Sequence, residues 1–194
     1  MKLTEKDGEY LLNLAKNAIE TYLDTNEIIN PPKDCPDYLK EKLGAFVTLN
    51  KHNQLRGCIG YSEPICPLVK AVINVGISAA TEDPRFKKVS KEEFKDIDLE
   101  ITVLTKPELI KVENSEDYLD EITLGEDGII VEQGFNKGLL LPQVPLEHNM
   151  GKREFLSNTC MKAGLHPNTW INETVKIYKF QGIIFKEKTS FKLP

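Results

Sequence analysis

The stretch Gly44-Ala45-Phe46-Val47-Thr48-Leu49, followed by polar Lys51-His52-Asn53-Gln54 and then Leu55-Arg56-Gly57-Cys58-Ile59-Gly60, decides the fold. It reads as strand, turn, strand, and so predicts a β-hairpin. A second hairpin is expected where Gly128-Ile129-Ile130-Val131-Glu132-Gln133 turns through Gly134 to Lys137 into Gly138-Leu139-Leu140-Leu141-Pro142. Single strands are expected at Leu99 to Leu104, stopped by Pro107, and at Val175 to Phe185. The apolar set of the latter changes phase between Ile177 and Phe180, which predicts a β-bulge. Helical periodicity lies between these strands. Thr4 with Asp7 forms a capping box ahead of Tyr10, Leu11, Leu14, Ala15, Ala18 and Tyr22, so a helix is expected from about residue 5 to 23. Pro67 opens an almost wholly apolar helix that must be buried on most sides, and Ser90 with Glu93 is a second capping box. Short helices are expected at Asp37 to Lys40 and Ser115 to Leu119, and a longer one at Lys152 to Ala163 with Gly164 as its C′ residue. Hairpins mixed with helices, without strict strand-helix alternation, make this an α+β protein with a largely antiparallel sheet and flanking helices. Residues 1–194 read as a single domain, with 186–194 a polar tail expected to fray.

Composition narrows the function. The chain has 194 residues, a formal net charge of −5, 40% hydrophobic and 28% charged residues. That is the globular range, and a chain of this length buries roughly 70% of its unfolded surface. No apolar run approaches the roughly 18 residues of a membrane span, and the charged start Met1-Lys2-Leu3-Thr4-Glu5-Lys6-Asp7 does not read as a secretory signal, so a cytoplasmic location is expected. Four cysteines are too few for a disulfide scaffold, and their spacing from His52, His148 and His166 matches no zinc motif, so neither metal nor cofactor is expected. The acidic balance disfavours nucleic acid as a partner. Nucleotide-loop, esterase-elbow and zinc-protease motifs are missing from the sequence.

Chemistry concentrates in Leu55-Arg56-Gly57-Cys58-Ile59-Gly60, where two glycines in a strand cost stability and signal close backbone approach. The functional reading makes Cys58 a nucleophile, with Arg56 nearby to favour its ionised form. The competing reading is a β-bulge with a buried structural cysteine. Arginine is scarce, present only as Arg56, Arg85 and Arg153, and two of the three sit in Gly- or Pro-punctuated segments. A guanidinium offers a planar fork of donors that lysine lacks. For Arg85 the structural alternative is capping of carbonyls at a helix C-terminus, with Asp83 accepting a turn hydrogen bond. Trp170 lines a pocket or closes a core, and Cys160 falls on an apolar helix face.

These residues carry a resemblance. Leu55 to Gly60, then Asp83-Pro84-Arg85-Phe86, Glu100 to Leu104, Gly138 to Val144, and Phe155-Leu156 through Cys160 and Ala163-Gly164-Leu165 to Trp170 resemble the AMMECR domain in order along nearly the whole chain, as a microbial stand-alone member. The resemblance implies two unequal lobes with a cleft between them and the six-residue signature near that cleft. It brings no biochemical activity to transfer, but it does imply association with Memo-type and radical-SAM proteins in a modification pathway. The chain has no C-x-x-x-C-x-x-C cluster motif and so is not the radical-SAM component. It also departs from the family's common pattern in lacking a tryptophan over Pro145 to Glu154.

Three functional expectations follow. The first is an enzyme or enzyme subunit whose site comprises Cys58 and Arg56 as catalytic groups and Gly57, Gly60, Asp83, Arg85, Phe86 and Trp170 as binding groups. The second is a non-catalytic module presenting the Leu55 to Gly60 surface to a protein partner, and the third an RNA-contacting accessory using a local lysine patch.

Overall fold

The structure is a computed structural model describing residues 3–172 and 174–187. In chain order its elements are α1 (Glu5–Thr25), a 3-10 turn (Asp37–Lys40), β1 (Ala45–Lys51), β2 (Gln54–Tyr61), α2 (Leu68–Thr81), α3 (Lys91–Phe94), β3 (Ile97–Leu104), β4 (Glu108–Leu109), a 3-10 turn (Ser115–Asp117), α4 (Tyr118–Glu121), β5 (Asp127–Gln133), β6 (Asn136–Leu140), α5 (Val144–Glu147), α6 (Lys152–Lys162), a 3-10 turn (Pro167–Ile171) and β7 (Lys176–Lys186). The pairings are antiparallel in the order β2-β1-β3-β7-β5-β6, with β4 also on β7, which is the expected α+β class. Both hairpins form. From residue 188 onward the expected tail lies outside the described residues.

The chain divides into two compact units, Met1–Leu104 with Ile183–Pro194, and Thr105–Gly182. In the first, α1 starts at a complete capping box: the Thr4 amide donates to Asp7 Oδ2 at 2.7 Å while the Asp7 amide donates to Thr4 Oγ1. The apolar stripe of α1 and nearly every face of α2 pack with Ala45, Val47 and Leu49 of β1 and Leu99, Ile101 and Val103 of β3. Strict alternation leaves Phe46, Thr48 and Asn50 of β1 and Asp98, Glu100 and Thr102 of β3 on the opposite face, half-buried.

In the second unit β5, β6 and α6 enclose Ile129, Val131, Phe155, Leu156, Cys160, Trp170 and Ile177. α6 ends as expected: Gly164 has φ +74°, and the Leu165 amide reaches back to the Cys160 carbonyl. The bulge expected in β7 does not form, because residues 176–181 pair with β5 in unbroken register. The phase change is a switch of face instead. Ile177 joins this unit's core, while Phe180 lies across Gly128, where a Cβ would stand 2.3 Å from the ring. The bulge that does exist is in the first hairpin, where the register shifts between Leu49 and Asn50.

Candidate functional site

β2 is a terminal strand of the sheet order, so one side of its backbone has no neighbouring strand. At Cys58 that side is occupied by the loop after α2. The Cys58 amide donates to Asp83 Oδ2 at 2.8 Å, and Arg85 Nη2 donates to the Cys58 carbonyl at 3.3 Å. Asp83 and Arg85 are joined to each other through Nε to Oδ1 at 3.0 Å and Nη2 to Oδ2 at 2.7 Å. A carboxylate and a guanidinium thus supply the acceptor and donor that a neighbouring strand would have supplied, and they fix the peptide on both sides of the Cys58 Cα.

The loop is itself held in place. The Arg85 amide donates to Asp83 Oδ1, the Phe86 amide to the Asp83 carbonyl, and the Val89 amide to Ala80 at the end of α2. The turn hydrogen bond expected of Asp83 is therefore present, whereas Arg85 reaches across to β2 and does not cap α2. The Asp83 side chain is 2% exposed. Hydrogen bonds from the Arg85 guanidinium, then from the Cys58 and Arg85 amides, overcome this burial and hold its carboxyl far below the usual range; Asp83 in turn raises Arg85.

Arg56 is differently engaged. Its side chain is 16% exposed, with Nε at 2.9 Å from Glu93 Oε1 and Nη2 at 3.0 Å from Glu93 Oε2 and 2.8 Å from the Lys87 carbonyl. Lys51 Nζ joins the same carboxylate at 3.2 Å. Bonding to Arg56 first, and then to Lys51, lowers the Glu93 carboxyl to about 2 against its burial. The second capping box is consequently only half made. Ser90 Oγ accepts the Glu93 amide, but the Glu93 carboxylate is committed to β2 and not to the helix terminus. Both guanidinium groups also lie over the Phe86 ring, at 5.7 Å for Arg56 and 5.5 Å for Arg85.

The glycines serve packing. A Cβ on Gly57 would stand 2.3 Å from the Ala79 carbonyl oxygen, so α2 lies directly against the strand there; one on Gly60 would meet the Phe46 ring at 2.2 Å. Cys58 points to the other face from Gly57 and is half-buried. Its sulfur accepts a hydrogen bond from Thr48 Oγ1 at 3.2 Å. Among the described residues, Thr48, Asp83 and Arg85 bond to the Cys58 side chain or main chain beyond the strand ladder. His52 sits in the β1–β2 turn with φ +52°, and the ring of His166 accepts from the Asn168 amide. Trp170 belongs to the core of the second unit, 2% exposed, with its indole N–H donating to Ser157 Oγ at 3.2 Å; it closes a core there. Cys160 is likewise core, its thiol pushed up by burial.

The structure thus brings together Arg56, Gly57, Cys58, Gly60, Asp83, Arg85 and Phe86. Sequence reasoning missed Thr48 and the pairing role of Glu93. Among the described residues no group of three or more His, Cys, Asp or Glu side chains is arranged to hold a metal ion, and no helix is long and apolar enough to cross a membrane.

Fold and site together define a class: an α+β protein whose thiol-bearing terminal strand is clamped by an Asp-Pro-Arg-Phe loop. The AMMECR1 family matches residues 12–185, and the chain belongs to that family. Protein PYRAB00100 of Pyrococcus abyssi is 50% identical over 192 residues, covering 96% of this chain and 93% of its own. A protein of Methanothermobacter thermautotrophicus is 49% identical over 185 residues, covering 95% and 96%. The crystal structure of uncharacterized protein PH0010 from Pyrococcus horikoshii superimposes with a TM-score of 0.78 at 49% identity, covering 97% of this chain and 95% of that one.

Proposed function

We propose that this chain is an enzyme or enzyme subunit in which Cys58 is the nucleophile or covalent handle. The observation that carries the reading is the two-sided clamp on the Cys58 peptide by Asp83 and Arg85, which fixes the position of a half-buried thiol on the face opposite α2. Positioning to this degree is what a reacting group needs and what a filler of core volume does not. Arg85 supplies the second requirement. Its side chain is 53% exposed, its Nε and Nη2 are used by Asp83 and Cys58, and its Nη1 makes no hydrogen bond among the described residues. When the Cys58 sulfur, its proton lost to solvent, adds to a carbonyl carbon, an S–C bond forms, the C=O π bond breaks and its electron pair settles on oxygen, an oxyanion to which the exposed Nη1 N–H would donate. Arg56, tied to Glu93 and the Lys87 carbonyl and only 16% exposed, holds strand and loop together in this scheme. A Memo-type or radical-SAM protein is the partner class that supplies or consumes the modified group.

The test is intact-mass analysis after incubation with a panel of small acyl and alkyl electrophiles. A single adduct mapping to Cys58, lost in a folded Cys58→Ser variant and weakened in Arg85→Lys, is expected. Equal labelling of wild type and Cys58→Ser would overturn the reading. It would favour a binding surface instead, on which Gly60→Val abolishes partner capture and Cys58→Ser does not.

A further inference from the structure

Resting on the reading of Cys58 as nucleophile, we propose that Thr48 is the positioning residue that orients the Cys58 sulfur. The ladder makes this contact specific. At its turn end the first hairpin pairs Lys51 with Gln54 and Asn50 with Leu55, a register that, continued unbroken, sets Val47 opposite Cys58. The bulge intervenes: Arg56 is the extra residue, Leu49 pairs with Gly57, and Thr48 becomes the direct partner of Cys58 on the same face. A hydroxyl therefore stands where an isopropyl group would have stood.

The asymmetry of restraint assigns Thr48 its task. Asp83 and Arg85 fix the Cys58 main chain, which leaves χ1 as the freedom of the sulfur, and the Thr48 hydroxyl at 3.2 Å selects its value. Thr48 is stiff at χ1 because it is β-branched, so the donor itself is well placed.

The charges around this row are matched. Arg56 on β2 pairs with Glu93 of α3, and Asp83 pairs with Arg85 in the loop. Glu100 of β3, opposite Thr48 in the next ladder, pairs with Lys186 of β7 at 2.8 Å. Among the described residues the Thr48 hydroxyl makes the side-chain hydrogen bond to the sulfur, with Arg85 the nearby charge that interacts with Cys58.

The experiment measures the iodoacetamide rate of Cys58 against pH, by peptide mapping, in wild type, Thr48→Val and Thr48→Ser, with circular dichroism confirming the fold. Thr48→Val keeps the branched shape and removes the donor; Thr48→Ser keeps the donor. The expected result is a fall of about tenfold at neutral pH in Thr48→Val and a Thr48→Ser rate within about twofold of wild type, the retained hydroxyl restoring the reactivity. If Thr48→Val does not fold, Thr48→Ala takes its place with the same expectation. A profile unchanged in the donor-less variant overturns the role of Thr48 while leaving a reactive Cys58 standing. A folded wild type in which Cys58 is not alkylated at any pH overturns the functional reading and this inference with it.

Discussion

At the residue scale, Asp83 governs the site. It is a buried carboxylate that accepts from one amide of β2, one amide of its own loop and a guanidinium, and each bond engages its charged form. Asp83→Asn keeps the shape but removes the charge, forcing the amide to present a donor to Arg85 or to the Cys58 N–H. It is expected to cost about 2 kcal/mol of stability, discounted because the Arg85 side chain is half exposed, and chemical denaturation at neutral pH measures it. Cys58, Asp83 and Arg85 were legible in the sequence as unusual residue types in punctuated segments. That Asp83 and Arg85 clamp the Cys58 peptide was not, because the contact joins positions 25 and 27 residues away. Thr48 was illegible for a different reason: one threonine in an alternating strand carries no signal, and although the glycines of Leu55 to Gly60 suggested a bulge there, its facing Cys58 depends on which residue is the extra one, which the sequence does not show.

At the element scale, the same limit separates what was legible from what was not. Local signals held: the Thr4/Asp7 box, the polar turn of the first hairpin, in which His52 and Asn53 take positive φ, and the Gly164 C-cap each act within a few residues. Signals with a distant competitor did not. Glu93 is spaced as a capping-box partner of Ser90, yet two cations on the β1–β2 hairpin outbid the helix amide for its carboxylate. The bulge expected in β7 was a face switch made feasible by Gly128 on the neighbouring strand. β4 and α5 were missed because they are too short to show a period. The Glu93 arrangement sets a pH dependence. Its folded carboxyl titrates at about 2 against an ordinary 4.5, so its stabilisation is fully present above about 4.5 and is lost as pH falls toward about 2. Glu93→Gln is therefore expected to lower stability by about 2 kcal/mol at pH 7, with the gap to wild type closing across that acid window, as measured by denaturant midpoints at stepped pH.

At the scale of the whole molecule, the chain leaves its first unit after Leu104 and returns at Ile183, so that unit is completed by the end of β7. The return is anchored. The Glu187 carboxylate accepts from Lys16 Nζ at 3.0 Å and from the Leu99 amide at 2.9 Å, while the Phe185 ring occupies the space over Gly8 of α1, where a Cβ would stand 2.1 Å away. Phe185→Ala is expected to destabilise the unit that carries Cys58 by about 2 kcal/mol, less than for a fully buried phenylalanine because the ring is half-buried. Hydrogen exchange of α1 and β3 amides reports it.

On the proposed function, folding makes Cys58 a positioned and accessible nucleophile. Its most direct test is the iodoacetamide rate of each cysteine in the folded chain, divided by the rate of the same cysteine in the urea-unfolded chain. A ratio above one is expected for Cys58 and one far below one for buried Cys35 and Cys160. A Cys58 ratio as low as theirs would contradict it and make the clamped thiol a structural group.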